Sequence, residues 1–118
     1  MPHERALLLL GHVREACEFI GELVDQFGAS VATEQLPRSA LSWQLLVIGE
    51  ACARLRREAP DVAARLTELP RVVALRNLLA HGYDVVEDDD LAFVATHHVP
   101  ILQVNVVRLA AELDARRG

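Results

Sequence analysis

The stretch ALLLLGHVREACEFIGELVDQFG, residues 6–28, carries the clearest helical pattern of this chain. Its apolar residues recur at steps of three and four, which places them on one face of a helix with about 3.6 residues per turn. The members of this stripe are Ala6, Leu10, Val13, Cys17, Ile20, Val24 and Phe27. Gly28 follows at a natural stop, because glycine readily adopts the left-handed conformation that ends many helices. The pattern predicts a long amphipathic first helix.

A second helix is predicted from about residue 38 to residue 58, after a loop over 29–37 that ends in Pro37. Its apolar stripe consists of Leu41, Leu45, Ile48, Cys52 and Leu55, and is widened by Leu46, Val47 and Ala51. A helix this apolar over its middle is typically covered on more than one side. Gly49 lowers the helix propensity of this stretch, and the close approach of a neighbouring helix best explains why a glycine stands at this position. Pro60 ends the segment.

The third predicted helix is short and follows a helical turn or loop over residues 61–66. Pro70 suits the first position of this helix, since its missing N–H is not needed there. The helix should end near His81, with Gly82 as a left-handed cap.

An acidic connection over residues 84–90 leads to the fourth predicted helix. This helix should start near Asp89 or Asp90, because an aspartate can cap a helix N-terminus. Pro100 within it predicts a kink or a break. No strand-like alternation and no internal repeat appear, so the sequence predicts an all-α, up-and-down bundle of four main helices in a single domain, 1–118.

Composition limits the functional classes. Hydrophobic residues make up 52% of the 118 residues, which excludes a disordered chain, and the apolar surplus favours a buried subunit interface. The net charge of −5 argues against nucleic-acid binding by bulk electrostatics, so an RNA site here needs locally concentrated positive charge. Cys17 and Cys52 are predicted to be buried thiols. Without a signal-peptide pattern or a membrane-spanning segment, the sequence predicts a cytoplasmic protein.

Chemically capable side chains cluster in RNLLAHGY, residues 76–83, within an otherwise aliphatic region. Burying such groups among apolar neighbours costs free energy unless they are hydrogen-bonded, ion-paired or needed for function. Arg76, His81 and Tyr83 match the R-X4-H-X-Y signature of the HepT toxins in the HEPN superfamily. The sequence IGEA at residues 48–51 resembles that family's segment on its second helix.

The resemblance covers about residues 38–110 and includes the "RN" and "HGY" elements of the family's core. Leu69 and Ala74 depart from it, since the family usually has an aromatic residue and a glycine near these positions. Both positions are interpreted as packing positions, so the departures leave the motif chemistry unchanged.

The resemblance implies metal-independent RNA cleavage without a cofactor, and the residues suit this chemistry. His81 is assigned as general acid or base, because histidine titrates near physiological pH. Arg76 is assigned as the electrostatic stabiliser of the phosphate and Asn77 as a positioning residue. Glu50 needs a cation among its apolar neighbours, and is interpreted either as a structural partner of an arginine or as a residue that orients Arg76.

Helix geometry constrains this assignment. At about 100° per residue, positions 76 and 81 point roughly 140° apart, so one ideal helix cannot aim both side chains at one phosphate. Either the helix unwinds at Gly82 or a second chain contributes, and the resemblance favours a homodimer with facing motifs. It also implies a type VII-like toxin–antitoxin pair, in which an MNT-type nucleotidyltransferase antitoxin attaches AMP to Tyr83 and blocks RNA binding.

Alternatives remain open from sequence. The main one is a non-catalytic HEPN-like module that binds a nucleotidyltransferase, RNA or nucleotide, and a weaker one is a purely structural helical dimer. Asp88, Asp89 and Asp90 are interpreted as a solvated loop and helix cap rather than a metal site. The adjacent pair His97 and His98 points in two directions on a helix and is poorly placed for joint metal ligation.

Overall fold

The computed structural model of this chain describes residues 2–82 and 86–117, and all regular elements within these ranges are helical. The α-helices are α1 (Pro2–Phe27), α2 (Gln35–Glu58), α3 (Pro60–Ala63), α4 (Leu69–Gly82), α5 (Asp88–Phe93) and α6 (Val99–Arg117). A 3₁₀ turn, Gly28–Ser30, follows α1, and a π-helical turn, Val94–His98, joins α5 to α6. The predicted all-α bundle of four main helical segments, α1, α2, α4 and α5–α6, is confirmed.

The first helix follows its sequence pattern closely. Ala6, Leu10, Val13, Cys17 and Ile20 are all buried, while Val24 and Phe27 pack against the core from its margin. Gly28 has a φ of 55°, so the predicted left-handed stop is confirmed at this glycine.

The second helix begins earlier than the sequence predicts. Gln35 is its first residue, so the predicted loop over 29–37 is wrong at its end and Pro37 lies inside the first helical turn. The N–H groups of a first turn have no intrahelical acceptor, and a proline there loses nothing. Arg38 in the following position donates hydrogen bonds to the carbonyl oxygens of Ala32 and Val86, which ties α2 to the segment that precedes α5.

Helix α1 packs against both α2 and α6, and α2 also packs against α3 and α4. This arrangement covers α2 on several sides, as its wide apolar surface predicts. The core is aliphatic, and both cysteines lie fully buried within it. Burial raises the pKa of the Cys17 and Cys52 thiols to about 12, which keeps them protonated and unreactive at neutral pH.

Two predicted helix ends differ in the structure. Helix α4 continues through Gly82, so the predicted left-handed cap at this glycine is wrong. Helix α5 starts at Asp88 with Glu87 as its N-cap residue, and the cap has no side-chain hydrogen bond, so capping by Asp89 or Asp90 is also wrong. The aspartates instead occupy the first turn, where negative charge is favourable next to the positive end of the helix dipole.

The predicted break near Pro100 takes the form of the π-helical turn. The backbone N–H of Val99 donates to the carbonyl oxygen of Val94, a spacing of five residues instead of four. A proline ring clashes with the carbonyl group four residues earlier and supplies no N–H, so the helix widens just before Pro100. The turn is anchored by His98, whose Nδ1 lies 2.6 Å from Oε2 of Glu68. In the part of the chain described here, no helix is long and apolar enough to cross a membrane.

Candidate active site

A groove of about 510 Å³ opens between α1, α2 and α4. Its floor is apolar, and its polar side chains are few. The residues that line it are Leu9, His12, Trp43, Leu46, Val47, Glu50, Ala51, Arg54, Arg76 and Ala80. A concave, mostly apolar surface with a few convergent polar groups is the usual form of a binding site.

Arg76 enters this groove because α4 approaches α2 at a glycine. A Cβ atom built on Gly49 would lie 2.2 Å from Cβ of Arg76 and 3.1 Å from the carbonyl oxygen of Val72. The distance to Cβ of Arg76 is far below van der Waals contact and the distance to the Val72 oxygen is tight, so glycine is the residue that admits this approach without a shift of the helices. The predicted close contact of a neighbouring helix at Gly49 is confirmed, and the neighbour is the helix that carries Arg76.

The guanidinium of Arg76 is held from two sides. Its Nη2 donates to Oε2 of Glu50 at 2.6 Å, and its Nη1 donates to Oδ1 of Asn77 at 2.7 Å. The Arg76 side chain is 28% exposed, so it remains open to the groove. A guanidinium has five N–H donors, and these contacts use two of them. The arrangement fixes a cation while leaving donors for an incoming anion.

The carboxylate of Glu50 stays ionised in this setting. The hydrogen bond from Arg76 is the largest influence on Glu50 and lowers its pKa below the ordinary value of 4.5. Burial opposes this shift, whereas the positive charge of Arg76 and a weaker contribution from Arg54 lower the pKa further. Nε of Arg54 lies 3.4 Å from Oε1 of Glu50, one helical turn away on α2. Glu50 therefore contacts both arginines of the groove.

The groove is locally positive on an acidic chain. Two guanidiniums, Arg54 and Arg76, face one carboxylate, Glu50, which leaves a formal surplus of one positive charge while the whole chain carries −5. The imidazole of His12 also lines the groove. The surplus is the local concentration of positive charge that a phosphate ligand requires on an acidic protein.

His81 lies outside this groove. Its side chain is exposed, and its Nδ1 lies 2.7 Å from the backbone carbonyl oxygen of Asn77. A carbonyl oxygen has no proton to give, so Nδ1–H must donate, and Nε2 is then the basic nitrogen of the neutral ring. Asn77 is also exposed, so among the described members of this cluster the expected cost of burying a polar group applies to Arg76.

The structure therefore brings Glu50, Arg76 and Asn77 into contact and leaves His81 on another side of α4, as the angular spacing predicts. Tyr83 lies outside the described residues. Among those residues, no group of three or more His, Cys, Asp or Glu side chains is placed to hold a metal ion.

Two residues that line the groove, His12 and Trp43, were not predicted as site residues from the sequence. A usable signal existed for Trp43, because residues 43, 47, 50 and 54 follow each other at steps of three and four and so share one face of α2. No comparable signal existed for His12, since it belongs to another helix and only helix packing brings it to the groove.

Comparison with known proteins gives one match. The model of the HepT-like family, described as "Ribonuclease HepT-like", matches residues 13–109. This range covers most of the chain and includes Gly49, Glu50, Arg76 and His81. No curated protein and no solved structure matches the chain significantly.

Proposed function

The chain belongs to the HepT-like ribonuclease family, and from this premise we propose that it is the RNA-cleaving toxin of a toxin–antitoxin pair. The observation that carries the proposal is the guanidinium of Arg76, fixed by Glu50 and Asn77 while still open to a locally positive groove. A guanidinium that is held in place, permanently charged and planar is well suited to bind the non-bridging oxygens of a phosphodiester.

The proposed reaction is an internal transesterification that needs neither metal nor cofactor. The ribose 2′-oxygen attacks the adjacent phosphorus, the bond from phosphorus to the 5′-oxygen breaks, and a 2′,3′-cyclic phosphate and a 5′-hydroxyl result. One proton leaves the 2′-oxygen and one is delivered to the 5′-oxygen. Nε2 of His81 is free for either transfer, because Nδ1 is occupied by the backbone of Asn77. Arg76 stabilises the charge that develops on the phosphate.

A homodimer completes the proposed site. His81, the proposed acid or base, does not line the groove that contains Arg76, so a second chain is needed to bring the His81 imidazole to the phosphate bound there. Leu78 supports an interface at this place, since it lies next to Asn77 on α4 and is 55% exposed. An exposed leucine beside a polar motif is well placed to pack against a symmetric copy.

We further propose that a nucleotidyltransferase antitoxin silences the protein by attaching AMP to Tyr83, two residues after His81. The added phosphodiester would carry negative charge and bulk on a residue only seven positions after Arg76, and by pairing with that guanidinium it would exclude RNA. Incubation with the antitoxin and ATP should add AMP to the peptide that contains Tyr83. The Tyr83→Phe variant should stay unmodified.

RNA cleavage in the presence of EDTA tests the nuclease proposal. Wild-type protein should cleave single-stranded RNA, whereas Arg76→Ala and His81→Ala should each reduce the rate at least 100-fold, because electrostatic and acid–base catalysis each contribute about that much. His97→Ala is the matched control, since His97 is an exposed histidine outside the groove, and should cleave like the wild type. Cleavage that survives both active-site substitutions, or that stops in EDTA, would contradict the proposed mechanism.

The second candidate is a binding module that holds RNA or a nucleotidyltransferase without cutting. The net charge of −5 and the placement of His81 outside the groove favour it. RNA that is bound through Arg76 but recovered intact would establish this candidate in place of the nuclease.

A further inference from the structure

We propose that Trp43 is the stacking platform for an unpaired base of an RNA strand held in the groove of Arg76. This inference rests on the proposed function, because it names the form of RNA that the groove accepts. Trp43 is the single tryptophan of the chain, it is 63% exposed, and its side chain lines the groove.

Nothing in the described part of the chain, residues 2–82 and 86–117, explains the exposure of Trp43. Tryptophan is highly buried on average, because its large ring loses favourable burial when it stays in water. Here the ring borders the groove of Arg76 and also a second hollow of about 270 Å³, which Ser39 and Leu79 help to line. Open space therefore lies on two sides of the indole, and a planar apolar group has room to cover it.

The positive charge of the groove favours a nucleic-acid base as the planar group that covers Trp43. Trp43 shares its groove with the guanidiniums of Arg54 and Arg76, so a ligand that stacks on the indole also meets positive charge. Nucleotides combine a flat π-face with a phosphate, and proteins that bind single strands use this pairing of aromatic platforms with basic grooves. An uncharged apolar partner would leave the surplus positive charge of the groove unmatched.

The distance between Trp43 and Glu50 along α2 fits a short segment of single-stranded RNA. Trp43 precedes Glu50 by seven residues, which is about 10 Å at roughly 1.5 Å per residue, and Glu50 holds the Arg76 guanidinium. A stacked strand advances about 3.4 Å per nucleotide, so the platform lies about three nucleotides from the phosphate at Arg76. In duplex RNA the base faces are already stacked on their neighbours, so this contact requires an unpaired strand.

A non-cleavable single-stranded oligonucleotide, 2′-O-methyl RNA, tests the platform separately from catalysis, because it lacks the free 2′-hydroxyl that the reaction needs. The tryptophan fluorescence of the wild-type protein, whose single tryptophan is Trp43, should be quenched on titration with this probe. Fluorescence anisotropy of a labelled probe should show that Trp43→Ala raises Kd about 5- to 150-fold, the effect of removing one stacked base. Trp43→Phe retains an aromatic face and should stay within about threefold of wild type.

Two control variants and one control probe separate stacking from other contributions to binding. Trp43→Leu keeps an apolar side chain without a π-face and should bind as weakly as Trp43→Ala. Phe19→Ala removes an exposed aromatic residue of α1 that does not line the groove, and should leave Kd unchanged. A hairpin duplex of the same length should bind with no dependence on Trp43.

The outcomes separate this inference from the nuclease proposal. If RNA is cleaved but the probe neither quenches Trp43 nor loses affinity in Trp43→Ala, the platform is refuted and the nuclease stands. If the probe binds through Trp43 but RNA is never cleaved, the platform stands and the nuclease is refuted. If Trp43 fluorescence responds to protein concentration instead of the probe, and Trp43→Ala dissociates a dimer, a second copy covers the ring and the platform is refuted.

Discussion

Replacing Gly49 with alanine should push α4 away from α2 and misplace Arg76. The added Cβ would lie 2.2 Å from Cβ and 2.7 Å from Cγ of Arg76, whereas carbon atoms pack at about 3.5 Å or more. Relief of the first contact therefore requires a shift of about 1.3 Å. The Cβ of Arg76 is fixed to its backbone, so a rotamer change cannot provide this shift and the helix itself must move.

The expected destabilisation follows from two opposing effects. Overpacking a close helix contact costs about 1–3 kcal/mol, and this contact belongs at the upper end because backbone must move. Alanine gains about 1 kcal/mol over glycine in helix propensity. The net change should therefore be a loss of about 1–2 kcal/mol in the free energy of unfolding for Gly49→Ala. The 2.6 Å contact between Arg76 and Glu50 should be lost with it, and RNA cleavage should fall at least tenfold.

Urea unfolding at one fixed protein concentration measures the stability change, and the concentration is held constant because an oligomer would make stability depend on it. Gly21→Ala is the matched control, since Gly21 lies within α1 and a Cβ there meets nothing within 4 Å. This control should gain about 0.5–1 kcal/mol. If Gly49→Ala were stabilised like Gly21→Ala and still cleaved RNA at the wild-type rate, the packing argument would be refuted.

Two further predictions concern ionisation. The folded state lowers the pKa of Glu50, so this carboxylate stabilises the protein above pH 4.5 and ceases to do so as pH falls through the lowered pKa. Glu50→Gln should therefore lower the urea midpoint at pH 7, and the difference from wild type should shrink below pH 4.5; a pH-independent difference would contradict the ion pair. Cys17 and Cys52 should resist a thiol reagent at pH 8 in native protein and react fully in urea, whereas fast native labelling would show that they are accessible.

Much of the fold could be predicted from local pattern. The stripe of α1, the stop at Gly28 and the break before Pro100 each depend on spacing or on the backbone of one residue, which the sequence displays directly. Helix ends were less predictable. Pro37 and Gly82 look like boundaries by residue type, but a first turn tolerates proline and a helix tolerates glycine when packing supports it.

By itself, the sequence determined that Arg76 and His81 leave α4 in different directions, because both lie on one helix of fixed pitch. It also determined that Gly49 needs a close neighbour. Only the tertiary structure decided that this neighbour is Arg76, and that His12 comes from α1 to the same groove. The reason is physical: a local pattern fixes which face of a helix is apolar, whereas contacts between distant residues depend on how all the helices pack together in one core.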